Sequence, residues 1–140
     1  MARPMPVVSR LTKAECLALL QQASLGHVGL SIEALPTVRS VRFAVDDDAV
    51  VLRLNAGSRL SRATTGRVVA FHADGYDADA GRGWSVWLTA VATKVTDAAA
   101  LARVAALPLE AWSPDPASDL FVTLSTAGVT GEAVELSSPT

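Results

Sequence analysis

The chain has 140 residues, half of them apolar, and carries a formal net charge of −2. This length suits a single domain that buries its own core, and the one cysteine, Cys16, excludes an internal disulfide. A near-balanced charge argues against binding to nucleic acid or to anionic membranes, which requires concentrated positive charge. No apolar run approaches the roughly 20 residues of a membrane span, so we expect a cytoplasmic protein.

The first residues predict a loose segment followed by a helix. The prolines within residues 1–10 indicate a lead-in without regular structure. Thr12 and Glu15 have the spacing of a capping box, and the predicted helix ends at Gly26. Cys16 lies on the apolar side of this helix, so we interpret it as a core residue rather than a nucleophile.

The centre of the chain predicts a hairpin that leads into a short helix. The two strands are Thr37–Val45 and Ala49–Leu54, and the three aspartates at 46–48 supply the turn between them. Ser58 is a good N-cap for the helix, and Gly66 would close it. Free amides and an arginine at this position favour binding of an anion.

The remaining elements are mostly strands. A polar loop is predicted over residues 74–82, a second helix begins at Thr96 or Asp97, and a late loop over 108–116 contains Trp112. The predicted strands are His27–Ile32, Val68–Ala73, Trp84–Val95, Leu120–Leu124 and Ala127–Leu136. We therefore predict one mainly β (α+β) domain over residues 11–136, with six or seven strands, small helices and a C-terminal tail at 137–140.

Several common chemistries have no motif in this chain. It lacks a phosphate-binding glycine–lysine loop, a dinucleotide fingerprint and a serine nucleophile elbow. His27 and His72 have no partner at metal-ligand spacing, so we predict no metal site. No acid–base pair stands out, and the sequence identifies no catalytic residue.

Five arginines lie within a stretch of 24 residues. One interpretation is that they are solvated side chains on strands and a helix. The other is that some of them converge on a phosphate beside Ser58. The five are Arg39, Arg42, Arg53, Arg59 and Arg62.

The order of several short motifs resembles the split-barrel family of pyridoxamine 5'-phosphate oxidase-like, flavin-binding proteins, and is most similar to its small actinobacterial members. The resemblance extends to Trp112 and to residues 121–131, so it covers most of residues 11–136. The motifs that carry it are Gly26–Leu30, Pro36–Phe43, Gly57–Leu60 and Gly83–Val86.

The resemblance implies a six-stranded antiparallel Greek-key split β-barrel that forms a homodimer with cofactor sites at the subunit interface. It implies FMN as cofactor, with the flavin ring along two strands and the phosphate at the start of the short helix. Arg67 and Arg82 would lie outside the site. The implied cofactor-binding residues are Arg39, Ser40, Val41, Arg42, Leu52, Arg53, Leu54, Ser58, Arg59, Leu60, Trp84 and Ser85.

Three positions differ from the pattern of many relatives, and they leave alternatives open. Ser40 and Arg42 stand where many relatives have proline and asparagine, and Arg59 replaces a lysine. We expect a flavin-dependent oxidoreductase whose small-molecule substrate the sequence does not identify. The alternatives are a deazaflavin-dependent reductase, a non-catalytic carrier or sensor of flavin or haem, and a structural dimer without cofactor.

Overall fold

The computed structural model describes residues 5–110 and 118–137, which form nine strands and three helices. The helices are α1 (Lys13–Gln21), α2 (Arg59–Thr64) and α3 (Ala98–Ala105). The strands are β1 (Met5–Arg10), β2 (Leu25–Ile32), β3 (Leu35–Asp46), β4 (Ala49–Asn55), β5 (Val68–Asp77), β6 (Arg82–Val91), β7 (Thr93–Lys94), β8 (Asp119–Ser125) and β9 (Thr130–Ser137).

The strands form one antiparallel sheet in the order β1-β9-β6-β5-β2-β3-β4-β8-β7. Only Ala92 separates β6 from β7, so these two strands occupy one continuous line. The first half of that line pairs with β9, and β7 pairs with β8, which closes the sheet into a ring of six strand positions. The mainly β split barrel is thus confirmed, although nine strands are described rather than six.

Apolar side chains from alternating strand positions fill the inside of the barrel. Phe43 and Phe71 meet edge to face at its centre, with ring centroids 5.0 Å apart. Burial of a side chain of this size stabilises the fold by about 1.5–3 kcal/mol. The barrel interior is therefore packed, and a ligand has to bind on its outer surface.

A smaller apolar cluster covers the outside of the barrel beside α3. Val104 on this helix packs with Val51, Leu109 and Phe121. Asp97 caps the helix by accepting a hydrogen bond from the backbone of Ala100 at 2.9 Å. Of the two predicted caps, Asp97 is the correct one.

The start of α1 agrees with the sequence, but its end does not. The capping box is present: the Thr12 hydroxyl accepts from the Glu15 amide at 3.2 Å, and the Glu15 carboxylate accepts from the Thr12 amide at 2.8 Å. Cys16 is fully buried, as predicted, and this burial raises the pKa of its thiol. The helix ends at Gln21 rather than at Gly26, which lies inside β2.

Two further predictions of local structure were wrong. Residues 5–10 of the expected lead-in form β1, which pairs with β9. The expected polar loop at 74–82 is mostly strand: β5 continues to Asp77, whose carboxylate caps a short turn by accepting from the amides of Asp79 and Ala80. The expected strand 84–95 is present over most of its length, but Ala92 divides it into β6 and β7.

Trp112 and residues 138–140 lie outside the described residues. No helix within the described part of the chain is long and apolar enough to cross a membrane.

Gly26 provides a test of the barrel packing. A Cβ atom at this position would lie 2.7 Å from two ring atoms of the buried Phe71, whereas a Cβ at Gly29 would meet only Ala70, at 3.6 Å. We expect Gly26→Ala to lower the free energy of unfolding by about 1–3 kcal/mol, and Gly29→Ala to leave it nearly unchanged. Urea denaturation measures both, and equal midpoints for the two variants would contradict this packing.

Candidate functional site

The start of α2 is held by a compact set of hydrogen bonds. Ser58 is its N-cap, as predicted, and its hydroxyl accepts from the Ser61 amide at 3.1 Å. The same hydroxyl donates to the Asn55 carbonyl at 2.7 Å, and the buried Ser61 hydroxyl bonds two carbonyls of the turn at 2.9 Å. These bonds fix the backbone from which Arg59 projects into solvent.

Arg59 borders a hollow of about 300 Å³ between α2 and the β2–β3 turn, called here the Arg59 hollow. Its nitrogen Nη2 lies 2.6 Å from Oε1 of Glu33 in an ion pair whose two side chains are mostly exposed. Three of the predicted site residues, Arg39, Arg59 and Leu60, come together here. The full lining is Ile32, Glu33, Leu35, Thr37, Arg39, Arg59 and Leu60.

A second hollow, of about 540 Å³, adjoins the first and shares Arg59, Glu33 and Ile32 with it. It is called here the Arg67 hollow. Its lining is Ser31, Ile32, Glu33, Ala34, Arg59, Arg62, Ala63 and Arg67. Arg67 was expected to lie outside the site, but it lines this hollow together with Arg59.

Arg42 and Arg53 do not line either hollow. Arg42 pairs with Glu110 at 2.8 Å. Arg53 bonds Asp119 at 2.5 Å and the Leu109 carbonyl at 2.7 Å, and the bond to Asp119 raises the pKa of the guanidinium. Strand alternation places both arginines on the outer face of the barrel, opposite Phe43 and Leu52. Val51, which packs beside α3, lies on the same face as Arg53.

Three apolar residues predicted to lie along a flavin ring belong to the barrel core. Val41, Leu52 and Leu54 are each at least nine-tenths buried. Their side chains are therefore unavailable to a ligand, and they could contribute only through their backbone. Ser40 is exposed on the other face of β3.

Trp84 and Ser85 lie in another part of the surface. Trp84 lines a hollow of about 600 Å³ between α1 and the β5–β6 hairpin, together with Tyr76 and Leu19. Ser85 points to the opposite face, where its hydroxyl lies 2.7 Å from Nε2 of His72. The hollow that Trp84 lines and the Arg59 hollow have no lining residue in common. A single chain therefore does not assemble all twelve predicted residues around one cavity.

Two polar pairings were not expected from the sequence: that of Glu33 with Arg59, and that of His72 with Ser85. Glu33 and Ala34 form the two-residue turn between β2 and β3 with φ angles of 52° and 65°. Such a turn typically contains asparagine or glycine, and neither is present here to reveal it. His72 lies opposite Trp87 and diagonally from Ser85, a relation that depends on strand register.

The two histidines are neighbours across β2 and β5, with ring centroids 6.3 Å apart. Within the described residues, no group of three or more histidine, cysteine, aspartate or glutamate side chains is arranged to hold a metal ion.

Comparisons with known proteins agree with this fold. The family model for pyridoxamine 5'-phosphate oxidase matches residues 12–135. An uncharacterised protein of Mycobacterium tuberculosis is 35% identical over 129 residues, which cover 89% of this chain and 84% of that protein.

Two solved structures resemble the whole domain. The FAD-binding protein of Mycobacterium smegmatis has a TM-score of 0.82 and 28% identity, covering 92% of this chain and 100% of its own. A conserved protein of unknown function from Corynebacterium diphtheriae has a TM-score of 0.73 and 25% identity, covering 90% of this chain and 97% of its own. The chain belongs to the pyridoxamine 5'-phosphate oxidase family.

Proposed function

We propose that the protein binds a flavin nucleotide, of which FMN is the smallest, with its phosphate at Arg59. The main support is the Arg59 hollow, which is lined by both Arg39 and Arg59 and by the apolar Leu60. Arginine side chains suit phosphate because the guanidinium offers paired donors in one plane. The similarity to an FAD-binding protein along nearly the whole chain supports a flavin as the ligand.

The ion pair between Glu33 and Arg59 is compatible with this role. An exposed ion pair contributes about 0–1 kcal/mol, whereas a hydrogen bond to a charged group contributes about 1.5–3 kcal/mol. A phosphate bonded by Arg59 would therefore displace the Glu33 carboxylate. Glu33 then acts as a competitor that weakens phosphate binding.

We also propose that the working unit is a homodimer. Along β3, β2, β5 and β6, side chains that point into the barrel alternate with side chains on the outer face of the sheet. This outer face carries five exposed apolar side chains: Leu25, Val38, Val68, Trp87 and Val91. Apolar surface of this kind favours association. Such a dimer would bring Ser85 and His72, which lie on the same face, against a second copy.

The proposed activity is a flavin-dependent oxidoreductase. A bound flavin supplies the hydride transfer, while the protein binds it, orients it and limits the access of water. Arg39 and Arg59 would hold the phosphate end, and Leu60 would cover part of the ligand. This division of labour requires no acid–base pair from the chain, which agrees with the absence of such a motif in the sequence.

The phosphate site is tested by substitutions at Arg59 and Glu33. We expect Arg59→Ala to weaken FMN binding by roughly tenfold to a hundredfold, and Arg59→Glu to weaken it further through repulsion. Glu33→Gln should strengthen binding because it removes the competing carboxylate. Arg82→Ala, which removes a charge paired with Glu135 on another part of the surface, is the matched control. Unchanged FMN titrations for Arg59→Glu would refute the site.

The dimer is tested by placing a charge on the exposed sheet face. Val38 and Leu35 are both 67% exposed on β3, but they lie on opposite faces of the strand. We expect the parent to be a dimer at micromolar concentration, Val38→Glu to shift it toward monomer, and Leu35→Glu to leave it dimeric. Light scattering measures all three, and a monomeric parent would end this proposal.

The redox proposal is tested with the flavin-loaded protein, by following bleaching of the visible flavin absorbance on addition of NADH or NADPH. We expect reduction in the parent. We expect rates within about tenfold of it in Cys16→Ala, His27→Phe and His72→Phe, since loss of a true general acid or base costs about 10²–10⁴. A thousandfold loss in any of these variants, if well folded, would show that the side chain takes part in the chemistry. No reduction in the parent by either donor would count against the oxidoreductase and favour a carrier.

A further inference from the structure

The Arg67 hollow lies directly beside the proposed phosphate site. We infer that it is a second anion subsite that receives the outer phosphate of a flavin dinucleotide, so that the protein selects FAD over FMN. This inference rests on the proposed phosphate site at Arg59. Arg62 and Arg67 would then be the residues that distinguish FAD from FMN.

The charge distribution is the first argument. The Arg67 hollow is lined by three arginines and one glutamate, a local net charge of +2 on a chain whose net charge is −2. Because Arg39 adds a further positive charge in the adjoining Arg59 hollow, cationic groups extend across both hollows. A single terminal phosphate would engage Arg39 and Arg59 and would leave Arg62 and Arg67 without a counter-charge.

The second argument is that these guanidinium groups are available to a ligand. Within residues 5–110 and 118–137, the Arg67 side chain makes no hydrogen bond or ion pair, and the residue is exposed. Arg62 uses one nitrogen, Nη1, for a 3.0 Å hydrogen bond to the Gly57 carbonyl. By contrast, Arg42 and Arg53 are held by Glu110 and Asp119.

Continuity and size supply the third argument. The two hollows share Ile32, Glu33 and Arg59, so a ligand could pass from one to the other beside the Arg59 guanidinium. Cofactor sites usually occupy about 300–1,000 Å³. The Arg59 hollow, at about 300 Å³, lies at the bottom of this range, and the adjoining 540 Å³ provides room for a diphosphate and part of a nucleoside. Ala34 and Ala63 leave space there because their side chains are short.

Backbone contacts hold Arg67 in place, although its side chain has no hydrogen bond or ion pair to the part of the chain that the structure describes. Its carbonyl accepts from the Ala92 amide at 2.9 Å, and its amide donates to the Thr64 carbonyl at 3.1 Å. The Cα position of Arg67 is therefore anchored between α2 and the β6–β7 line. Substitution of the exposed side chain should leave both bonds, and hence the fold, intact.

The test is a fluorescence titration of FAD and of FMN into the parent and into Arg67→Ala, Arg62→Lys and the double variant Arg62→Ala/Arg67→Ala. We expect the parent to bind FAD at least tenfold more tightly than FMN. Arg67→Ala should weaken FAD binding by about tenfold or more while changing FMN binding by less than about threefold. The double variant should bring the two affinities close together, and Arg62→Lys should retain most of the preference because it keeps the charge.

Arg82→Ala is again the control, since it removes an equal charge from an exposed surface away from both hollows. Equal affinity of the parent for FAD and FMN, or a parallel loss of both flavins in Arg67→Ala, would overturn the second subsite while leaving the phosphate site at Arg59 standing. If Arg59→Glu binds both FAD and FMN as tightly as the parent, the phosphate site and the second subsite are both overturned.

Discussion

Closure of the barrel at Ala92 is the constraint on which the other features depend. Ala92 is fully buried, and its backbone donates to Arg67 at 2.9 Å and accepts from Gly66 at 2.7 Å. Pairing of the β6–β7 line with β9 ends at Trp87, and its pairing with β8 begins at Thr93, directly after Ala92. The same two hydrogen bonds anchor the end of α2, so barrel closure and the position of the arginine-lined hollows are set by one short stretch of backbone.

A closed and filled barrel restricts where function can lie. Phe43, Phe71 and Leu52 occupy the interior with almost no exposure, and protein interiors are packed about as tightly as organic crystals. Binding sites therefore have to form where helices and turns meet the outside of the sheet. The hollows around Arg59 and Arg67 form where α2 and the β2–β3 turn approach each other.

The helix caps were predicted correctly from local signals, whereas features that depend on tertiary contacts were not. The caps at Thr12 and Ser58 involve residues three apart, so the pattern alone specifies their hydrogen bonds. Gly26 looked like a helix end because glycine often has that role, but here its missing Cβ makes room for Phe71, which is distant in sequence. No local pattern reveals such a contact.

Strand β1 and the ends of β5 and β6 were missed for a related reason. Strand β1 is exposed along its whole length, so it lacks the apolar alternation that marks a half-buried strand. The ends of β5 and β6 likewise extend beyond the core, and their polar residues read as a loop. In both cases pairing with a neighbouring strand, rather than burial, determines the conformation.

Tertiary contacts also divide the arginines into structural and ligand-accessible ones, whereas the sequence shows them only as a cluster. Arg42 and Arg53 belong to the clustered five but face Glu110 and Asp119, which lie more than 60 residues later in the chain. Arg67 lies outside the cluster but borders the same surface as Arg59. An arginine that is largely buried and paired with an acidic residue, as Arg53 is with Asp119, connects parts of the fold. An exposed arginine beside others of its kind keeps its hydrogen-bonding capacity for an anion that the chain itself does not supply.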